Sequence, residues 1–289
     1  MSTAVAAVQS IHRSVPVMTR AAKPGYIAQC ATACSTCAMR RLCLPDGITR
    51  EQLAFCDELV STRKRIKRGE HVFRANDKFT GLYAFRTGFF KGYVESEDGR
   101  MQVTTFQMAG DIAGLDGIDT ERHRLNVVAL EDGEVCLIPY ARLDALCDRM
   151  PIMQHHLRRL MSSEIVREQS LMMLLGTMRA ESRVASFLLS LSQRFAARGY
   201  SAIEFNLRMT REEIGSYLGL KLETVSRIFS RLQEEGLIQV QGRALKLLDV
   251  QALTELAGQR EARGVARPPA DDLYRVQQDR GSEHAATAL

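Results

Sequence analysis

Four of the chain's seven cysteines fall within fourteen residues, in the stretch Cys30-Ala-Thr-Ala-Cys34-Ser-Thr-Cys37-Ala-Met-Arg-Arg-Leu-Cys43-Leu-Pro45. The stretch precedes any hydrophobic periodicity, so core packing does not account for its thiols. Thiolates at this density suit a soft metal centre. Disulfides are the competing account, and they need an oxidising compartment. Residues 1–18 carry no Lys or Arg ahead of their weakly apolar stretch, and no long apolar region follows, so no export signal is expected. The spacing is C-x3-C-x2-C-x5-C. Zinc sites usually combine two C-x2-C pairs, or Cys with His. Here only Cys34 and Cys37 form such a pair, and no His lies nearby. An iron–sulfur cluster takes four thiolates, one of which can come from far along the chain. Cys30, Cys34 and Cys37 compete with Cys34, Cys37 and Cys43 for the near positions, and spacing leaves both triples open.

The rest of the chain bounds the answer. At 289 residues it holds about two domains. Its 45% hydrophobic and 25% charged content is that of a soluble globular protein. No apolar run approaches the roughly twenty residues of a membrane helix, so no membrane partner is expected. The net charge of +5 permits a nucleic-acid partner without demonstrating one. Seven thiols without an export signal point to a reducing cytoplasm. No catalytic triad, P-loop or paired-carboxylate site is visible, so no enzymatic activity is expected.

Residues 1–29 lack any period and read as a flexible tail; residues 30–45 form the cysteine segment. Residues 46–150 follow as one unit. A helix is expected over 48–60, with Ile48, Leu53, Cys56, Leu59 and Val60 on one face and Cys56 as a small buried hydrophobe. From Arg65 onward, short apolar runs alternate with Gly and Asp: 71–73, 81–85, 89–94, 102–108, 127–130 and 135–139. Many short strands with regular turn signals predict a β-sandwich or β-roll. Asp98-Gly99 is the best hairpin tip, on the expectation of a type I′ turn. Cys136 falls in the last strand and, taken alone, reads as a core thiol. Cys147, in 143–150, reads as packing.

Pro151 opens a helical stretch expected to run to about Gln193. Met161, Ile165, Glu168, Met172 and Leu175 recur at heptad spacing along it and predict a two-stranded dimer seam, interrupted by the charge of Glu168. The dimerisation helix is assigned 151–182. Residues 183–255 then carry a helix-turn-helix: a capping box of Thr210 and Glu213, a short helix, Gly219 at the turn, and a second helix over 222–235 with Val225, Ile228, Phe229 and Leu232 inward. Glu223, Ser226, Arg227 and Ser230 share its outer face near the N-terminus, the part that meets base edges in the major groove. Runs at 237–240 and 244–248 read as a two-stranded wing, and 256–289 as a flexible tail. Local charge between 207 and 246 is mixed, seven basic residues against five acidic.

In this order the pieces form an α+β chain that resembles the CRP/FNR family of transcription regulators, and within it the FNR-type anaerobic regulators. The resemblance spans about residues 30–248. It rests on Cys34-x2-Cys37-x5-Cys43-Leu-Pro, on Gly110-Asp111 followed by Gly114, on Val135-Cys136-x-Ile138-Pro139, and on Glu223-Thr-Val-Ser226-Arg227. It implies an N-terminal β-roll like that of cyclic-nucleotide-binding domains, a long dimerisation helix and a C-terminal winged helix-turn-helix. It implies one [4Fe–4S] cluster per subunit, held by Cys34, Cys37, Cys43 and Cys136, with Cys30 left out. It also implies an oxygen-responsive homodimer in the cytoplasm, in which an acidic residue at the position of Glu168 keeps the cluster-free protein monomeric. The DNA partner is a palindrome of TTGAT-type half-sites read by Glu223, Ser226 and Arg227. Thr210, Arg211, Lys221 and Arg243 are the expected phosphate contacts. The hairpin tip Glu97-Asp98-Gly99-Arg100 would touch RNA polymerase.

Three other readings are weaker. Cys30, Cys34 and Cys37 resemble the radical-SAM motif, but that fold needs repeated βα units, and Thr36 stands where the motif has an aromatic. Nucleotide-binding relatives carry an Arg-Ser or Arg-Thr pair where His123-Arg124 and apolar Leu125 stand here. A haem sensor needs an axial ligand, and His155-His156 on the long helix read as solvent-facing.

Overall fold

The computed structural model describes residues 33–60, 62–96 and 98–258. The expected tail 1–29, Cys30, Glu97 and all but the first three residues of the expected tail 256–289 lie outside them.

The cysteine segment comes first, as a 3-10 turn at Cys34–Thr36 and a one-turn helix α1 (Arg40–Cys43). Helix α2 (Arg50–Asp57) starts at a capping box in which Thr49 and Gln52 satisfy each other's backbone N–H. Eight strands follow: β1 (Thr62–Ile66), β2 (His71–Phe73), β3 (Gly81–Thr87), β4 (Phe89–Glu95), β5 (Met101–Met108), β6 (Ile112–Ala113), β7 (Asn126–Ala129) and β8 (Gly133–Pro139). They form two antiparallel sheets, ordered β1-β8-β3-β6 and β2-β7-β4-β5. The two sheets close on Ile66, Phe85, Phe90, Val127 and Val135, each at most 1% exposed. This is the β-roll. Each such side chain contributes about 1.5–3 kcal/mol by leaving water.

Strand β1 was not expected, because Thr-Arg-Lys-Arg-Ile shows no apolar alternation. Only Ile66 reaches the core; the rest is held by five antiparallel pairings with β8, from Thr62↔Leu137 to Ile66↔Gly133. The β4–β5 hairpin closes one residue earlier than a type I′ turn at Asp98-Gly99. Gly99 N–H donates to the Ser96 carbonyl at 2.8 Å, and Ser96 N–H to that of Arg100 at 2.9 Å. Gly99, at φ 79°, takes the left-handed position that follows the turn, the geometry of a three-residue loop.

Helix α3 (Tyr140–Arg149) leads into α4 (Pro151–Thr177), with Pro151 at its first turn where the missing N–H costs nothing. The single helix expected to about 193 is in fact two. Met178 (ψ 147°) and Arg179 (ψ 157°) are extended, and α5 (Ala180–Ala196) starts afresh. Gly176 stands in the last turn of α4, two residues before the break, and is itself helical. Arg183 supports the break from outside, donating to the carbonyls of Leu175 (2.7 Å), Met178 (2.9 Å) and Leu218 (3.1 Å). A cation there satisfies helix C-terminal carbonyls that would otherwise lack partners.

The last domain contains β9 (Glu204–Asn206), α6 (Arg211–Leu218), α7 (Leu222–Glu234), β10 (Ile238–Gln241), β11 (Ala244–Leu247) and α8 (Val250–Ala257). The wing has three strands, ordered β10-β11-β9, because β9 pairs with β11 through Leu245↔Phe205 and its neighbours. Helix α8, with Leu253 fully buried, runs into the stretch expected as tail. One apolar cluster joins Phe89, Val103, Phe106 and Met108 of the β-roll to Phe187, Leu188, Ile214 and Leu232 of this domain.

Candidate cysteine centre and nucleic-acid interface

Cys34, Cys37 and Cys43 come from the segment before α2, and Cys136 from the middle of β8. The fold brings all four to one cavity of about 50 Å³. Cys136 sits between β1 and β3, opposite Arg63 on one side and Ala84 on the other, and is 8% exposed. Leu44, Leu59, Ile112 and Ile138 make much of the remaining wall apolar. Ser35 fixes the segment: its backbone N–H and its hydroxyl each donate to the Asp57 carboxylate at 2.7 Å.

Burial, then the neighbouring Cys136 and Asp57, push the Cys34 thiol up to about 12. Burial, then Cys37 and Cys136, push Cys43 up to about 12 as well. Cys136 is raised by burial and partly relieved by a hydrogen bond from Arg63. Arg86, paired to Glu134 at 2.6 Å, lines the same cavity as Cys37. As free thiols Cys34, Cys43 and Cys136 are protonated at neutral pH. Among the described residues, no three His, Cys, Asp or Glu side chains converge as ligands of a single metal ion. Cys56 and Cys147 pack with Leu53, Leu59 and Leu146 in an apolar cluster.

Sequence reasoning missed Arg63 and Arg86, which only the β1–β8–β3 pairing brings to the thiols. It also placed His156 in solvent. His155 is exposed, but His156 is half-buried, with Nε2 3.2 Å from the Cys43 carbonyl. Burial lowers its pKa. The alternation of His on a helix face gives no hint of this, since the partner is a backbone carbonyl 113 residues away. His123 is 1% exposed and stacks on Phe73 with ring centroids 3.8 Å apart. Its ring thus fills β-roll interior next to the Gly114 turn.

The second site is built locally. Thr210 caps α6, its hydroxyl accepting from the Glu213 N–H at 3.1 Å while Glu213 accepts from the Thr210 N–H at 2.7 Å. Glu213 also pairs with Lys91 of β4 at 2.9 Å, with both side chains mostly buried. Gly219 ends α6 in the left-handed conformation, φ 63°. Helix α7 buries Val225, Ile228, Phe229 and Leu232 and leaves Glu223, Ser226 and Arg227 exposed. Lys221 and Arg243 are exposed on the same domain. Arg211 is not a free cation: its guanidinium lies 3.4 Å from the centroid of the Phe229 ring, and burial lowers its pKa to about 10.

On α4, Ile165 is 54% and Met172 64% exposed, with Glu168 exposed between them and Met161 and Leu175 half-buried. At the hairpin, Arg100 pairs with Asp98 at 2.5 Å. The hairpin's base is held by Ser216 of α6, whose hydroxyl accepts from the Val103 N–H at 2.9 Å and donates to the Met101 carbonyl at 3.2 Å. Among the described residues no helix is long and apolar enough to cross a membrane.

Comparison with known proteins accounts for both halves. Residues 63–150 match the cyclic nucleotide-binding domain and residues 182–256 the Crp-like helix-turn-helix domain. The chain is 45% identical to the transcriptional regulatory protein btr of Bordetella pertussis over 79% of its own length and 95% of the relative's. It is 44% identical to the transcriptional activator protein anr of Pseudomonas aeruginosa, over 78% and 92%. It is 42% identical to the fumarate nitrate reduction regulatory protein of Klebsiella oxytoca, over 82% and 94%. Among solved structures, FixK2 from Bradyrhizobium japonicum superposes with a TM-score of 0.64 at 32% identity, covering 68% of this chain and 98% of that one. Its helix-turn-helix, β-roll and near full-length relatives make this chain a member of the CRP/FNR family of transcription regulators, not an enzyme.

Proposed function

We propose that the chain is an oxygen-responsive, sequence-specific regulator of genes for anaerobic or low-oxygen metabolism, working in the cytoplasm. It holds one [4Fe–4S] cluster per subunit through Cys34, Cys37, Cys43 and Cys136. The observation that carries this is the convergence of four thiols, three local and one from β8, on one cavity. A multi-iron centre spreads its thiolates wider than a single ion does, which fits a site that offers no single-ion geometry. The donor set fits too: crowded, buried thiols that raise one another's pKa lose their protons to a bound cationic centre. Relatives named anaerobic regulatory protein, from Pasteurella multocida and Haemophilus influenzae, are 43% and 42% identical.

When bound, the cluster supplies an oxygen-labile tie between the N-terminal segment and the β-roll. The chain's own residues do the rest. Arg63 and Arg86 offset thiolate charge, Ser35 and Asp57 hold the segment to α2, and His156 joins it to α4. The seam of Met161, Ile165, Glu168, Met172 and Leu175, exposed at its three central residues, then pairs with a second copy. Two Glu168 carboxylates facing each other repel, so the cluster-free dimer is marginal, and a bias of a few kcal/mol inverts the populations. The dimer presents two α7 helices to successive major grooves of a palindrome with TTGAT-type half-sites. Lys221, Arg243, Thr210 and Arg211 lie toward phosphate. Thr210 and Arg211 also serve the cap and the Phe229 ring, so their contacts are backbone-like and sequence-blind. Nucleotide sensing is disfavoured by the His123 ring stacked inside the β-roll.

Anaerobically purified protein should be brown, carry about four irons per subunit and bleach in air. Colourless, iron-free anaerobic protein would remove the cluster from the reading. Glu168→Ala should sediment as a dimer in air; a monomer would mean that the charge is not the gate.

A further inference from the structure

We propose that the turn Ala109-Gly110-Asp111 is a second output of the cysteine segment, one that sets the DNA-binding domain against the β-roll independently of dimerisation along α4. The proposal deepens the cluster reading and rests on it for the signal, though not for the contact.

One side of the turn faces the cysteines. Gly110 has φ 89°, and a Cβ built on it would lie 2.6 Å from the Leu42 Cβ. Leu42 is the neighbour of Cys43 in α1, so α1 rests directly on the bare Gly110 backbone. No side chain cushions the contact, and a shift of α1 meets the turn at once. The turn cannot absorb such a shift freely. Gly110 N–H donates to the Phe85 carbonyl at 2.8 Å, and Phe85 N–H to the Asp111 carbonyl at 3.0 Å, which pins the turn to β3.

The other side faces the DNA-binding domain. The Asp111 carboxylate accepts from Arg194 and from Arg198, both at 2.6 Å, and from the Met108 N–H at 2.9 Å. Arg198 Nε donates to the Ala109 carbonyl at 2.6 Å, and Arg194 to the Phe106 carbonyl at 2.8 Å. Four of these bonds thus converge on the turn itself, three of them from Arg194 and Arg198, and the fifth ties Arg194 to β5. Arg194 lies in the last turn of α5 and Arg198 in the turn just after it, and α5 is the helix whose Val184, Leu188 and Leu191 belong to the apolar cluster that also holds α6 and α7. The chain of contact runs from Cys43 and Leu42 through Gly110 and Asp111 to Arg194, Arg198 and the reading helix. It makes no direct contact with the seam residues of α4, although Arg167 of that helix faces Asp111 electrostatically.

The test separates the two outputs in the full chain. In the first measurement, amide hydrogen exchange is followed in cluster-free protein. Leu42→Ala and Asp111→Asn should each speed exchange over residues 190–199 by about tenfold and leave the seam 161–175 unchanged. Unchanged exchange at 190–199 in both variants would overturn the contact route, whatever the cysteines bind. In the second, iron content, sedimentation and affinity for a TTGAT-type palindrome are measured anaerobically on loaded protein. Asp111→Asn and Arg198→Gln should keep wild-type iron and a wild-type dimer yet bind DNA about tenfold more weakly. Wild-type DNA affinity in both would overturn the proposal. A lack of iron in the wild type would instead fail the cluster reading, and the exchange result would still decide the relay.

Discussion

The two functional regions are built on opposite plans. The proposed DNA-reading edge is local: Glu223, Ser226 and Arg227 lie within five residues on one helix, and the turn and cap that aim it lie within fifteen residues before them. The cysteine centre is non-local: Cys43 and Cys136 meet only because β8 lies between β1 and β3 and the N-terminal segment folds back over them. A local site inherits its geometry from helix periodicity and capping. A non-local site inherits it from sheet register, so any change in register, segment or metal is felt at once. This fits a reader that stays constant and a sensor that does not.

The comparison can be broken most severely at Cys136. Cys136→Ala should lose essentially all iron under anaerobic conditions, whereas Cys56→Ala should keep it and change only packing; a fully loaded Cys136→Ala would show that the centre is local after all. Next comes the reading helix. Arg227→Ala should cost about 1–3 kcal/mol and relax discrimination at one base pair per half-site, while Lys221→Ala weakens all sequences alike and flattens the salt dependence. Binding to a library of sites measures both, and full specificity in Arg227→Ala would remove its reading role. The caps allow a direct match between regions. Thr210→Ala and Thr49→Ala should each cost about 1 kcal/mol in thermal or denaturant unfolding, because each removes one acceptor from a helix N-terminus. A markedly larger loss at Thr210 would show that the Lys91–Glu213 pair depends on the cap. The smallest effect is expected at the hairpin. Charge reversal at Glu97 and Asp98 should leave DNA binding intact and lower transcription by a few-fold; unchanged transcription would make the tip a solvated turn.

What the sequence made legible follows the same division. The helix-turn-helix could be read residue by residue, since Thr210, Glu213 and Gly219 announce the cap and the turn, and Val225, Ile228, Phe229 and Leu232 the buried face. Most strands of the β-roll were legible from alternation and turn residues. Strand β1 was not, because Arg63, Lys64 and Arg65 hide it among charges and its reason for being a strand is its pairing with β8. The break after α4 was not, because Gly176 is itself helical and the carbonyls freed at the break are met by Arg183 of the next helix. Cys136 by itself looked like any core thiol; only the family's motif singled it out before the sheet placed it beside the other three. His156 was misplaced for the same reason, its partner being a carbonyl far along the chain.

The apolar cluster shared by β4, β5, α5, α6 and α7 bears on how this protein can be recombined. A chimera cut at the break between α4 and α5, at Met178–Arg179, would seem natural, since the second family match begins at 182. Such a graft would strip Phe106 of its ring partners Phe187 and Tyr217, strip the Val103 N–H of the Ser216 hydroxyl, and leave Lys91 facing no Glu213. A transplanted reader would therefore need the facing strands exchanged with it, so the unit of exchange is the DNA-binding domain together with the β4–β5 hairpin.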